Sequence, residues 1–276
     1  MTVMTAKGLD HDGFIVREGS LSLVADEFAP VVDAARGRIS EAFDRTRLHS
    51  AYLYGSVPRG TAVPGRSDLD LLLALRGGPS AADRADAAAL ETALDAGFAQ
   101  INGVGVLLVG TDTLLSELER YDLGWMLACL CTPLLGEDLG EQLPRYRPSS
   151  LLARETNGDL GAALVRWRGL AAAATTDGQR RKLNRAVARR IVRTGFTLVM
   201  PRWSGWTSDL MESAEVFGGY YPEWAARMRL AAGIAVAPTA DLAGLGLLLD
   251  ELAPWLAAEY TAVHGEKTPR PASGSG

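Results

Sequence analysis

Two short stretches of this 276-residue chain bring together residue types that handle phosphate and metal. The first is Gly55-Ser56, followed by Arg59-Gly60. The second, after a loop containing Pro64-Gly65, is Ser67-Asp68-Leu69-Asp70. Gly55 permits a tight turn whose backbone N–H groups can approach a phosphate and form an anion-binding nest. Ser56 and Ser67 add hydroxyl donors. Arg59 is either a phosphate contact or an ordinary loop arginine, and Gly60 lets the loop turn back. A strand alternates its side chains, so Asp68 and Asp70 point to one face while Leu69 and Leu71 point to the other, into a core. Two carboxylates held side by side repel each other, and a hard divalent cation relieves the repulsion. Mg²⁺ suits such a pair because it takes few protein carboxylates and completes its shell with water and phosphate oxygens. Asp-x-Asp is also an ordinary solvated pair at a strand start. The turn before it is what points to a nucleoside triphosphate.

The elements that must position these residues read as a small α/β domain. Apolar spacing predicts a helix over 24–48, then a strand over 50–54 ended by Gly55. A loop over 61–67 leads into a strand over 68–75, closed by Gly77-Gly78-Pro79. A helix over 81–97, a strand over 104–109 and a helix over 113–135, broken at Pro133, complete the domain. Around 143–150 the composition shifts to Pro, Arg, Tyr and Ser, as in a linker. Beyond it, helices are expected over 151–174, 178–199, 210–220, 222–235 and 241–263, a bundle. The expected organisation is an α/β domain over 1–145, with a small mixed sheet, an all-α domain over 146–264, and a disordered tail over 265–276, rich in Pro, Gly and Ser.

Composition narrows the function. With 28 Lys and Arg against 33 Asp and Glu, the net charge is −5. That weighs against binding nucleic acid through a basic surface and suits a cationic small substrate. Cys129 and Cys131 lie too close in sequence for an easy bridge and have no neighbouring histidine, so they read as reduced core residues rather than zinc ligands. His11, His49 and His264 are scattered and receive no catalytic role. No stretch reaches the about 20 apolar residues a membrane span needs. The opening residues lack the basic-then-apolar pattern of a secretory leader. A cytoplasmic protein with no membrane partner is expected.

The pattern Gly-Ser-x-x-Arg-Gly, a short loop, then Ser-Asp-x-Asp-Leu resembles the nucleotidyltransferases of the polymerase-β-like superfamily, most specifically over residues 50–75. The domain order resembles the aminoglycoside adenylyltransferases that modify streptomycin or spectinomycin. The stretches Arg193-Thr-Gly-Phe-Thr-Leu-Val-Met and Trp206-Thr-Ser-Asp-Leu are similar to their helical domain. The resemblance implies that Gly55 and Ser56 hold the triphosphate of ATP and that Asp68 and Asp70 bind Mg²⁺. A nucleoside monophosphate would then pass to an acceptor hydroxyl, with pyrophosphate leaving. It also implies a third carboxylate from the next strand. Here that strand reads Gly103-Val-Gly-Val-Leu-Leu-Val-Gly110, with glycine near the expected position, Gly105. Asp112, just past the strand, is the nearest acid and stands as the candidate third catalytic residue; the alternatives are an acceptor activated by the metal or by a residue of the helical domain, or a site that binds nucleotide with little or no turnover.

The helical part offers further candidates. Arg181, Arg185, Arg189 and Arg193 form one helical stripe flanked by Arg180, Lys182 and Arg190. Like charges at this spacing cost roughly 0.2–0.5 kcal/mol per pair. Compensation by a bound triphosphate, gripped by Lys182 and Arg185, is one reading; pairing with acids elsewhere is the other. Trp206 and Asp209 are the candidate acceptor contacts, against ordinary packing of bundle aromatics. Three functions follow: transfer of AMP to a small molecule resembling an aminoglycoside, a nucleotidyltransferase toxin or regulator acting on tRNA or protein, or a nucleotide-binding module with a decayed site.

Overall fold

The computed structural model describes residues 7–270, which divide into two compact units. One is Val16–Tyr146; the other combines residues 7–15 with 147–270.

The first unit is built on a four-stranded mixed sheet in the order β3-β2-β1-β4. Helix α1 (Ala29–Ala42) precedes β1 (Leu48–Tyr54), and β2 (Leu69–Leu75) returns antiparallel to it. Helix α2 (Ala81–Gly97) crosses to β3 (Val104–Gly110), which lies parallel to β2. Strand β2 is apolar on both faces because both are covered, as a central strand requires. Leu69, Leu71, Leu73 and Leu75 pack on Val31, Ala35 and Ile39 of α1 and on Leu90 and Leu94 of α2. Leu72 and Ala74 face a second core with Tyr52, Leu114, Leu127, Cys131 and Leu139. Asp68 and Asp70 share the parity of Leu72 and Ala74, so they sit where that second face begins. Cys129 and Cys131 are free and buried, and burial pushes the Cys129 thiol up to about 12 and that of Cys131 further.

The expected helix over 113–135 is not what forms. It breaks into α3 (Thr111–Leu114) and α4 (Leu123–Leu130), and the chain then makes a strand, β4 (Thr132–Gly136), antiparallel to β1. Pro133 ends any helix and is tolerated here because β4 is an edge strand.

The second unit is helical: α5 (Ser150–Asn157), α6 (Leu160–Ala173), α7 (Asp177–Trp203), α8 (Leu210–Tyr220), α9 (Ala225–Val236), α10 (Ala243–Leu247) and α11 (Ala253–His264), with a π-helical turn over Leu248–Leu252. The long α7 starts at a capping box, Thr176 with Gln179. Residues 7–15, expected in the α/β domain, belong with this unit. Trp206 N–H donates to the Lys7 carbonyl at 2.8 Å, and the Arg147 guanidinium lies 4.0 Å from the Phe14 ring centre. The start of the expected tail is also tied down. The buried Glu155 carboxylate accepts from Thr268 Oγ1 at 2.9 Å and Arg270 Nη1 at 3.2 Å, and Lys267 N–H reaches the Gly158 carbonyl. Residues 271–276 lie outside the described residues. Among the described residues no helix is long and apolar enough to cross a membrane.

A salt link fastens α1, β1 and α2 together. Arg47, just before β1, bonds Asp83 at 2.5 Å and Asp86 at 2.7 Å on α2, and the Ala42 carbonyl ending α1. Asp83 also closes the α2 capping box with Ser80. The Ser80 hydroxyl, then Arg47 and the Ser80 amide, hold the Asp83 carboxyl down at about 2. An unfolded aspartate titrates near about 3.9, so this stabilisation is present above about pH 4 and is lost as pH falls towards 2. Asp83→Asn should lower Tm at neutral pH by about 2–4 °C, for a loss of about 1 kcal/mol. It should also flatten the fall in stability between those pH values. Parallel acid-unfolding curves for the two proteins would contradict the assignment.

Candidate nucleotide and metal site

The end of β1 delivers the turn. Gly55 has φ +83°, a left-handed conformation that L side chains rarely adopt. A Cβ there would also stand 2.5 Å from Asp70 Oδ2. Glycine at 55 is therefore required twice, once by the backbone and once by the carboxylate lying against it. The loop then closes on itself: Gly60 N–H donates to the Val57 carbonyl at 3.2 Å and Thr61 N–H to the Ser56 carbonyl at 3.1 Å. Val57 is buried and Ser56 half-buried.

The start of β2 delivers the carboxylates. Asp70 pairs in register with Tyr54 on one side and Gly105 on the other. Both Asp68 and Asp70 are half-buried. Asp68 Oδ1 accepts from Asn102 Nδ2 at 3.2 Å. Glycines stand beside each: a Cβ on Gly103 would lie 3.8 Å from Asp68 Oδ1, and one on Gly105 3.6 Å from Asp70 Oδ1. Ser67 is buried and its Oγ accepts from Val63 N–H at 2.9 Å, while its carbonyl takes Asn102 N–H at 2.9 Å. Ser67 thus shapes the loop and ties it to the approach to β3.

Two hard oxygen donors from one strand, beside a turn kept free of side-chain bulk, fit a cation that draws its remaining ligands from water and phosphate. Among the described residues no group of three or more His, Cys, Asp or Glu is placed to hold a metal. Asp112 is not brought to the pair. Strands β2 and β3 run parallel, Gly105 lies opposite Asp70, and Asp112 follows Gly110, which lies opposite Leu75. Five residues of strand separate the two ends, about 16 Å at about 3.3 Å per residue.

The other expected residues have these places. Arg59 Nη1 bonds Glu18 Oε2 at 3.2 Å. In the helical unit, Lys182 on α7 is exposed and Arg185 half-buried. At the start of their stripe, Arg181 and Arg180 pair with Asp177 at 3.7 and 3.6 Å, and Arg190 pairs with Asp159. Trp206 is buried and packs edge-on to Phe196, with ring centres 5.6 Å apart. Asp209 is the N-cap of α8, its Oδ1 accepting from Glu212 N–H at 2.7 Å. Sequence reading missed Asn102 and Glu18. Asn102-Gly103 carries only the signal of a turn, and Glu18 carries none.

No protein-family model matches the chain. No curated protein matches it either. Among solved structures, the spectinomycin adenyltransferase AAD(9) from Enterococcus faecialis, determined with ATP and spectinomycin, is similar with a TM-score of 0.53. The match covers 84% of this chain and 98% of that one, at 14% sequence identity. The fold of the chain resembles that of this adenyltransferase. At this identity the likeness reaches the fold, a small mixed four-stranded sheet with helices and a helical C-terminal region.

Two glycines beside Asp70 allow a contrast. Gly55→Ala should destabilise by about 1–3 kcal/mol, because the conformation is strained for alanine and its methyl meets the carboxylate. Gly105→Ala should stay within about 1 kcal/mol, since its methyl meets Asp70 at ordinary contact distance. Thermal unfolding reads both; equal losses would show that the turn does not press on Asp70.

Proposed function

We propose that the protein is a Mg²⁺-dependent nucleotidyltransferase. In this reading it moves a nucleoside monophosphate, AMP from ATP, to a hydroxyl of a small molecule of the aminoglycoside class and releases pyrophosphate. The observation that carries the reading is the packing of the Asp70 carboxylate against the Gly55 turn, with Asp68 two residues away on the same face. The likeness of fold to the adenyltransferase supports it.

The roles follow from the chemistry of the residues. The turn at Gly55 and Ser56 offers backbone amides and a hydroxyl to phosphate oxygens. Asp68 and Asp70 hold the cation, and Asn102 fixes the orientation of Asp68. Bound there, Mg²⁺ supplies charge neutralisation to the phosphate oxygens. Ser67 keeps the connecting loop folded so that turn and carboxylates stay in register. The neighbours of Asp70 across the sheet are Tyr54 and Gly105, so the reading rests on positioning and charge neutralisation, which carry most phosphoryl-transfer catalysis. Lys182 and Arg185 as phosphate contacts, and Trp206 and Asp209 as acceptor contacts, belong to the same reading. The capping bond of Asp209 and the packing of Trp206 give each a structural task besides.

Incubating the protein with each nucleoside triphosphate, Mg²⁺ and a panel of aminoglycosides, and weighing the products, tests the proposal. One acceptor should gain a single nucleotide mass. Asp68→Asn and Asp70→Asn should each cut that transfer by about a hundredfold or more. Transfer that survives both substitutions contradicts the metal-pair mechanism. Labelled tRNA or protein would assign a macromolecular acceptor, and binding without transfer would leave a nucleotide-binding module.

A further inference from the structure

We infer that Glu18 and Arg59 are positioning residues for the Gly55–Ser56 turn, and that Arg59 acts through Glu18 rather than on phosphate. The inference rests on the nucleotide-site reading for its binding arm alone. The geometry is an interlock between two chain segments within the α/β unit. Gly19 has φ +83°, and a Cβ on it would stand 2.8 Å from the Pro58 carbonyl oxygen. Gly60 has φ +71°, and a Cβ on it would stand 2.8 Å from the Leu23 carbonyl oxygen. Each segment thus presses a carbonyl onto a glycine of the other, and side chains are excluded from both crossings. Ser20 N–H donates to the Pro58 carbonyl at 2.9 Å, which joins the segments between the two glycines.

The Glu18–Arg59 pair closes the interlock beside that bond. Its N···O distance is 3.2 Å, and the two side chains are only 15% and 24% exposed, which limits solvent screening. Glu18 is anchored in turn, its N–H donating to the Cys129 carbonyl at 2.7 Å at the end of α4. The turn has two internal bonds of its own, Gly60 N–H to the Val57 carbonyl at 3.2 Å and Thr61 N–H to the Ser56 carbonyl at 3.1 Å. To these the segment 18–23 adds the Ser20 bond, the Glu18–Arg59 pair and the two glycine crossings, all on residues 58–60. The sequence places 18–23 more than 30 residues before the turn, so the support is non-local.

The two assignments of Arg59 predict opposite behaviour. A phosphate-binding Arg59 would be released by Glu18→Gln and would bind ATP as well or better. A positioning Arg59 needs Glu18, so Glu18→Gln should do the same harm as Arg59→Gln. The experiment uses the full chain with two readouts: hydrogen–deuterium exchange over residues 55–61, and affinity for ATP with Mg²⁺. We expect each single variant to speed exchange in that stretch and to weaken ATP binding about tenfold. The reversed pair, Glu18→Arg with Arg59→Glu, should recover both readouts. Unchanged exchange and unchanged or tighter ATP binding in Glu18→Gln overturns the inference, as does a reversed pair that recovers neither. If Arg59→Gln does not fold, Glu18→Gln alone decides. If the wild-type protein binds no ATP, the functional reading fails, and the exchange readout still judges the interlock.

Discussion

The carboxylate of Asp70 lies where a side chain on Gly55 would have to go, and the candidate site depends on that contact. It joins the end of β1 to the start of β2 across the antiparallel pair in which Tyr54 meets Asp70. The left-handed backbone at Gly55 turns the chain away just there, so the turn and the Asp70 carboxylate meet at one end of the two central strands. Two carboxylates side by side at a strand start repel each other. A cation that brings its own water and phosphate ligands is the simplest relief.

The supports around this contact are spread over the α/β unit. Asn102 orients Asp68 from the approach to β3, and Ser67 folds the loop between the turn and the strand. The Arg47 link to Asp83 and Asp86 holds α1 and α2 together beside the sheet face that carries Leu69 and Leu71. The helical unit has its own fastenings. Its buried Glu155 gathers Arg154, Thr268 and Arg270; burial pushes the carboxyl up, and these three partners outweigh burial and hold it below the usual glutamate range. Asp177 neutralises the start of the basic stripe from within the same helix, the favourable order of charges along α7.

Much of this was legible in the sequence because it is local. The β2 run is continuous and apolar between glycine-rich breaks, and its alternation alone puts Asp68 and Asp70 on one face. Helix α2 is legible over 81–97 from its alanine-rich, amphipathic run, and the structure adds the Ser80–Asp83 capping box at its start. Other features depend on what approaches from far away in the chain. Thr132–Gly136 follows an apolar helix without interruption, and only pairing with β1 makes it a strand. Residues 7–15 and 265–270 carry loop-like composition, yet each is held by distant partners, Trp206 in one case and Glu155 in the other. Asp112 is close in sequence to the end of β3 and for that reason far from Asp70, since a parallel neighbour carries the chain away from the site.

The central claim is that Asp68 and Asp70 hold a divalent cation together with a triphosphate bound at the Gly55 turn. Electron paramagnetic resonance of Mn²⁺, titrated with protein in the presence of a non-hydrolysable ATP analogue, measures this directly. The account predicts that the signal of free Mn²⁺ falls as protein is added, that the analogue strengthens the binding, and that Asp70→Asn abolishes it. Mn²⁺ bound equally well by Asp70→Asn, or bound with no dependence on the nucleotide, would contradict the account.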